Sequence, residues 1–246
     1  MTTKRAPKTN SRRNIFAGII VIFLFLFVSF SYYAYQLMYT ANVDSKGQEV
    51  FVTIPKGATY EQAMDSIESK KVIIDKLAFR FMAKLMDYPE LVKPGRYELI
   101  NGSTNYQLLR KLRSGDQDPL KLTFNNIRLK QNLVDRLAAQ VSADREELDS
   151  LINNPEYVKS LGFDTTTIVT MFIPNTYEVY WTISADELMK RMKKEYDAFW
   201  NEKRMAKAES LKLTPVQVST LASIVQAETV KNDEKPRVAG VYLNRL

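Results

Sequence analysis

The stretch IFAGIIVIFLFLFVSFSYYAY, residues 15–35, runs for 21 residues without a charge. At 1.5 Å per residue it makes about 31 Å of helix, the thickness of a bilayer's hydrocarbon core. It reads as a transmembrane helix over residues 15–37, and it orders everything around it. Tyr32, Tyr33, Tyr35 and Tyr39 gather at one end, where amphipathic rings favour the headgroup level. Lys4, Arg5, Lys8, Arg12 and Arg13 precede the other end, with no acid before Asp44. That one-sided cation excess predicts a cytoplasmic basic tail over residues 1–14, a single pass through the cell (inner) membrane, and an extracytoplasmic body. A cleaved signal peptide is the competing reading, but its apolar core is usually shorter and is followed by a small-residue cleavage site, which does not occur here.

The tail also carries most of the net charge. The chain holds 35 Lys and Arg against 28 Asp and Glu, and removing the five tail cations lowers the balance from +7 to +2. The body is thus nearly neutral, which argues against a nucleic-acid partner. Its composition, 45% hydrophobic and 26% charged, is that of a folded chain with a sizeable core. Cysteine and histidine are both absent. Disulfides, Ser-His or Cys-His nucleophiles and imidazole metal ligands are thereby excluded, leaving carboxylates, lysines, tyrosines and hydroxyls for any chemistry. No glycine-rich phosphate loop or dinucleotide fingerprint occurs.

The body reads as α+β. EVFVTIP, residues 49–55, has the composition of a strand, and a turn at Lys56-Gly57 leads into a helix carrying Ala63 and Ile67. A second helix is expected over residues 75–86. Pro94-Gly95 turns the chain into a strand at 96–100, and Ser103 or Thr104 opens a helix containing Leu108, Leu109 and Leu112. This segment, residues 45–116, resembles a LysM-like glycan-binding module; the same pattern also fits a small α+β domain that expresses core packing alone. The polar run Gly115-Asp116-Gln117-Asp118-Pro119 marks a boundary. A mixed, helix-rich region follows over 119–246, with a strand at 120–126 and helices at 131–141 and 144–152. A long amphipathic helix is expected from Ala185 to about Ala208, with Leu188, Met192, Tyr196 and Phe199 on its apolar side. The aromatic, hydroxyl-rich stretch 172–181 fits either a half-buried strand or a surface for sugar faces.

Thr214-Pro215-Val216-Gln217 places a capping hydroxyl, a proline at the first helical position and a glutamine at the third, the signature of a helix start. Val218, Leu221, Ile224 and Val225 recur at helical spacing, and Glu228 continues that stripe. The spacing therefore predicts a carboxylate on the inward face near the helix C-terminus. Burial and the negative end of the helix dipole would both raise its pKa and make it a candidate general acid. The competing reading is a solvated surface glutamate.

Two strings carry a resemblance. Leu221-Ala222-Ser223-Ile224-Val225-Gln226-Ala227-Glu228-Thr229 and Pro236-Arg237-Val238-Ala239-Gly240-Val241-Tyr242-Leu243-Asn244-Arg245-Leu246 resemble, in order and spacing, the signature of the MltG (YceG-like) family of endolytic murein transglycosylases. Pro174-Asn175-Thr176-Tyr177 resembles that family's P-D-T-Y segment, with Asn175 in place of the aspartate and Val169-Thr170 where many members have Glu-Gly. The resemblance implies a peptidoglycan lyase that cuts β-1,4 bonds between N-acetylmuramic acid and N-acetylglucosamine within a strand, leaves 1,6-anhydro ends, and so terminates strand elongation. It places the catalytic glutamate on Glu228, offers Tyr177, Gln226, Asn244 and Arg245 as substrate-orienting groups, and requires no metal or organic cofactor. Its expected partners are peptidoglycan strands, the membrane and peptidoglycan synthases. The chain stops inside the pattern Val238, Val241, Tyr242, Leu246 without a stop signal, so a further C-terminal segment is expected. The alternative from another class is a membrane-anchored, non-catalytic glycan-binding or divisome scaffold protein.

Overall fold

The structure is a computed structural model that describes residues 11–125, 127 and 129–245. The basic tail before residue 11, the side chains of Arg12 and Arg13, Asn126 at the end of the expected strand, and Leu246 lie outside the described residues. The architecture is mixed α and β and helix-rich, in two compact units divided between Gln117 and Asp118.

The first unit begins with α1 (Ser11–Tyr39). Its segment Ile15–Tyr39 contains an 18-residue window of mean hydropathy 2.6 and is long and apolar enough to cross a membrane. After it come β1 (Phe51–Ile54), α2 (Tyr60–Ser69), α3 (Lys76–Leu85), β2 (Gly95–Glu98) and α4 (Asn105–Ser114). The two strands pair antiparallel, Phe51 opposite Glu98 and Ile54 opposite Gly95. The period of two turns Val52, Ile54 and Tyr97 into the core. Thr59 and Thr104 each close a capping box with the glutamine three residues on, Gln62 and Gln107, satisfying orphan amides at the starts of α2 and α4. Met64 and Ile67 from α2, Phe79 and Met82 from α3, and Leu109 and Leu112 from α4 meet over the sheet. A short 3-10 turn, Tyr88–Glu90, adds the fully buried Tyr88. Gly95 is required by a close approach: a Cβ there would lie 2.7 Å from Cζ of the buried Tyr97.

The second unit contains β3 (Leu120–Phe124), α5 (Lys130–Ala138), α6 (Arg145–Asn153), α7 (Pro155–Ser160), β4 (Asn175–Val179), α8 (Ala185–Phe199), α9 (Glu202–Ser210), α10 (Pro215–Glu228) and α11 (Lys235–Leu243). β3 and β4 pair antiparallel, Leu120 opposite Val179 and Phe124 opposite Asn175. Leu122, Phe124, Tyr177 and Val179 face the core, where Leu133, Leu137, Leu148, Leu188 and Met192 cover them.

The expected helix over residues 185–208 is two helices. The apolar period runs on through residue 200, but the Asn201 side chain accepts a hydrogen bond from the Arg204 amide and caps α9. Trp200 leaves the helical region, with ψ at 56°. An Asx cap competes for the same backbone amides that a continuing helix would use. The bend sets Trp200 against Tyr196 and Phe199, with ring centroids 6.3 and 5.5 Å away.

Candidate functional site

α10 starts as its sequence dictates. The Thr214 hydroxyl accepts from the Gln217 amide at 3.2 Å, the Gln217 side chain accepts from the Thr214 amide at 2.8 Å, and Pro215 fills the first turn. The helix ends at Glu228, with Thr229 as its extended C-cap. Glu228 therefore stands at the negative end of the helix dipole, as its position requires.

Its orientation differs from the expectation. Val225 is the inward residue of α10, 7% exposed, while Ile224 is 38% exposed and Glu228 lies open to solvent. α10 packs on α9, on the 3-10 turn Ile168–Met171 and on α11. None of these closes over its last turn, so a residue that continues the apolar stripe in sequence is left uncovered in space. The inward carboxylate is corrected to an exposed one.

What holds Glu228 is Tyr242, whose hydroxyl donates to Oε1 at 2.9 Å across the α10–α11 turn. Oε2 has no hydrogen-bond partner among the described residues. The Tyr242 pKa is raised, first by this bond to the carboxylate, then by partial desolvation and by the Glu228 charge, with the Arg245 cation opposing. The turn between the helices is itself pinned. Thr229 Oγ1 donates to Glu234 Oε2 at 2.8 Å and accepts from the Lys231 amide at 3.1 Å. The Lys231 ammonium lies 3.4 Å from Glu234 Oε1, and Pro236 occupies the first turn of α11.

The structure brings only part of the expected constellation together. Arg245 sits one turn beyond Tyr242 and bears on it electrostatically. Asn244 caps α11 through its backbone amide, which donates to Gly240 O at 3.1 Å, and its side chain is exposed. Gln226, two residues before Glu228, is turned about 200° around the helix from it. Gln226 lines an open groove of about 1080 Å³, together with Val218, Ala222 and Ile224 of α10 and Phe172 and Pro174 before β4. Small side chains at Ser219, Ala222, Ser223 and Ala227 leave that face of α10 shallow, a signal the sequence carries. Tyr177 does not line the groove. It is 5% exposed, its ring stacks on Phe124 with centroids 5.5 Å apart, and its hydroxyl donates to the Ile173 carbonyl. Burial raises its pKa, with the Glu195 charge adding to the effect and Arg191 opposing it. Tyr242 was not among the residues expected from sequence. Only its place in the second string, fourteen residues from Glu228, points to it.

Two proteins named "Endolytic murein transglycosylase", from two strains of Streptococcus pneumoniae, are each 24% identical to the chain over 259 aligned positions, covering 92% of it. The chain spans about half the length of these relatives, 46% in each case. The crystal structure of a YceG-like protein from Listeria monocytogenes superposes with a TM-score of 0.50 at 24% identity, over 80% of this chain and 70% of that one, which speaks for the fold. The model of the YceG-like family matches residues 52–246, from the first strand through both halves of the Glu228 region, and the chain belongs to that family.

Proposed function

We propose that the protein is a membrane-anchored murein lytic transglycosylase that cuts within glycan strands, with Glu228 as its general acid and base. The observation that carries this reading is the placement of Glu228: a carboxyl group at the end of the signature helix, open to solvent, held at one oxygen by Tyr242 and, among the described residues, unengaged at the other. A single carboxylate suffices for the reaction because the nucleophile belongs to the substrate. Glu228 gives its proton to the bridging oxygen as the C1–O bond to N-acetylglucosamine breaks. The resulting carboxylate takes the proton of the muramyl C6 hydroxyl as O6 closes on C1 of the same ring. No water enters, and the 1,6-anhydro end is the product. A hydrolase would need a second carboxylate for its water or nucleophile.

Three observations support the rest of the reading. The apolar helix α1, with tyrosines at its C-terminal end and Lys and Arg before it in sequence, fits a single-pass anchor with a cytoplasmic N-terminus. The β-α-α-β order of β1, α2, α3 and β2, with its antiparallel pair, supports a LysM-like, glycan-binding role for the first unit. The names of the pneumococcal relatives support peptidoglycan as substrate. Peptidoglycan synthases are proposed as partners because they make the strands that such an activity would cut.

The test is digestion of peptidoglycan by the full chain, with anhydromuramyl ends identified by mass spectrometry. Glu228→Gln keeps size and hydrogen bonding but removes the transferable proton, so product formation should fall at least about a hundredfold while strand binding and circular dichroism persist. The exposure of Glu228 favours one competitor, a glycan-binding or divisome scaffold without catalysis. That reading wins if the wild type binds strands but produces no anhydro ends. Full activity of folded Glu228→Gln would sink the assignment of the acid.

A further inference from the structure

α3 is an unusual helix for a soluble surface. Its inner face, Phe79, Met82 and Ala83, is buried in the first unit's core. Its outer face repeats the apolar pattern: Leu77, Phe81 and Leu85 follow one another at four-residue intervals and are 82%, 58% and 63% exposed, with Ile74 just ahead of them at 65%. Beside that row runs a second one at the same spacing, Lys76, Arg80 and Lys84. Arg80 and Lys76 are tied back to α2 by ion pairs with Glu61 and Glu68; Lys84 is exposed. Core packing explains the first face and the ion pairs explain part of the cationic row. Neither explains four large apolar side chains in water.

The position of α3 does. Its N-terminus is fastened to the point where the chain leaves α1. Asn42, three residues past Tyr39, is buried. Its side-chain amide donates to Asp75 O at 2.9 Å and to Asn105 Oδ1 at 2.6 Å, and its Oδ1 accepts from the Asp75 amide at 2.7 Å. The Ile74 amide donates to Asn42 O at 3.0 Å, and Val43 bridges to Ile73. Asn105 donates to Leu37 O at 2.8 Å inside the last turn of α1, and Leu37 and Met38 pack on the unit's core. The end of α1 is thus bonded into the unit rather than joined by a loose linker, and α3 packs beside it. Tyr39 and Tyr106 stand ring to ring at the same exit, 6.2 Å apart.

We propose that the outer face of α3 rests in the headgroup region of the bilayer, so that the first unit is seated on the membrane from which α1 emerges. The inference rests on α1 spanning that membrane. The occupant of the apolar row is lipid because the row is continuous with the exit of an apolar helix, and because the flanking row is cationic and suits anionic headgroups. An apolar row flanked by Lys and Arg is what an interfacial helix presents to a bilayer. The second contact would hold the first unit at a fixed height and tilt, where a lone helix with a flexible linker would let it wander.

The chain contains no cysteine, so single spin labels can be placed on the full chain in liposomes containing anionic lipid. Labels at Leu77→Cys and Phe81→Cys report on α3, one at Leu26→Cys on the middle of α1, and one at Lys56→Cys on an exposed turn. None of the α3 sites is a core position, so folding should survive. The ratio of collision with oxygen to collision with a water-soluble nickel chelate should be severalfold higher at 77 and 81 than at 56, moving toward the value at 26. If 26 is lipid-exposed while 77 and 81 match 56, the anchor stands and the seating of α3 is wrong. If 26 itself is open to nickel, the anchor fails and takes the inference with it. Labels at 77 and 81 that are immobilised and shielded from both reagents would show a protein covering the row, and would overturn lipid as the occupant.

Discussion

Replacing Tyr177 by phenylalanine separates two roles that the residue's identity alone cannot. Its hydroxyl is buried and donates to the Ile173 carbonyl, while its ring stacks on Phe124. Phenylalanine keeps the ring and deletes the donor. Losing one such bond costs about 0.5–1.5 kcal/mol, and the carbonyl left short of a partner adds to it, so a destabilisation of about 1–2 kcal/mol is expected. The chain's two tryptophans, Trp181 and Trp200, both lie in the second unit. Their fluorescence during urea unfolding of the detergent-solubilised chain therefore reports on the unit that holds Tyr177. With an m-value of about 2 kcal/mol per molar, the midpoint should drop by roughly 0.5–1 M. Activity per folded molecule should hardly change. An unshifted midpoint together with lost anhydro-product formation would refute this reasoning and move Tyr177 from the core to the substrate.

Three further outcomes follow from the same contacts. Because the Glu228 carboxylate is the first cause of the raised Tyr242 pKa, Glu228→Gln should let Tyr242 ionise at lower pH, read as the tyrosinate absorbance that Tyr242→Phe removes. Gly95→Ala forces a methyl into Cζ of Tyr97 and should cost about 1–3 kcal/mol as overpacking, seen as faster hydrogen exchange in β1 and β2. Lys190 first and then the Tyr157 hydroxyl, at 2.7 and 2.8 Å, hold the Asp186 carboxyl below its usual range. Its contribution is present above the ordinary carboxylate pKa and is lost as pH falls through the lower folded value. Asp186→Asn should thus flatten the acid side of the tryptophan-monitored stability curve, by less than about 1 kcal/mol for so exposed a pair.

Local signals were legible where the physics is local. Thr104 and Thr214 announce their helices because a hydroxyl and a glutamine three residues on satisfy amides of the same turn. Residues 175–179 show a period of two because one face of β4 is covered. Signals failed where a competing local bond or a distant surface decided the outcome. Asn201 ends a helix whose apolar period runs on through residue 200. Asn154-Pro155 carries the same start signal as Thr214-Pro215, but α7 has six residues and too few turns to display a period. Glu228 illustrates the second kind of failure. Its phase around α10 is readable from the sequence, whereas what lies opposite that phase depends on where α9 and α11 pack.

An exposed Glu228 changes where the water must be excluded. An inward carboxylate would be desolvated by the fold itself and would stand ready before substrate arrives. In this arrangement the described residues supply direction, through the Tyr242 bond and the pinned α10–α11 turn, and leave Glu228 exposed. If Glu228 is the acid, its cover has to come from beyond the described residues, and a bound glycan that lays a sugar face over the helix end would supply it. An intramolecular attack suits such a site. Its nucleophile arrives already attached to the sugar that excludes the solvent, so the same binding event that dries the carboxylate also sets O6 near C1.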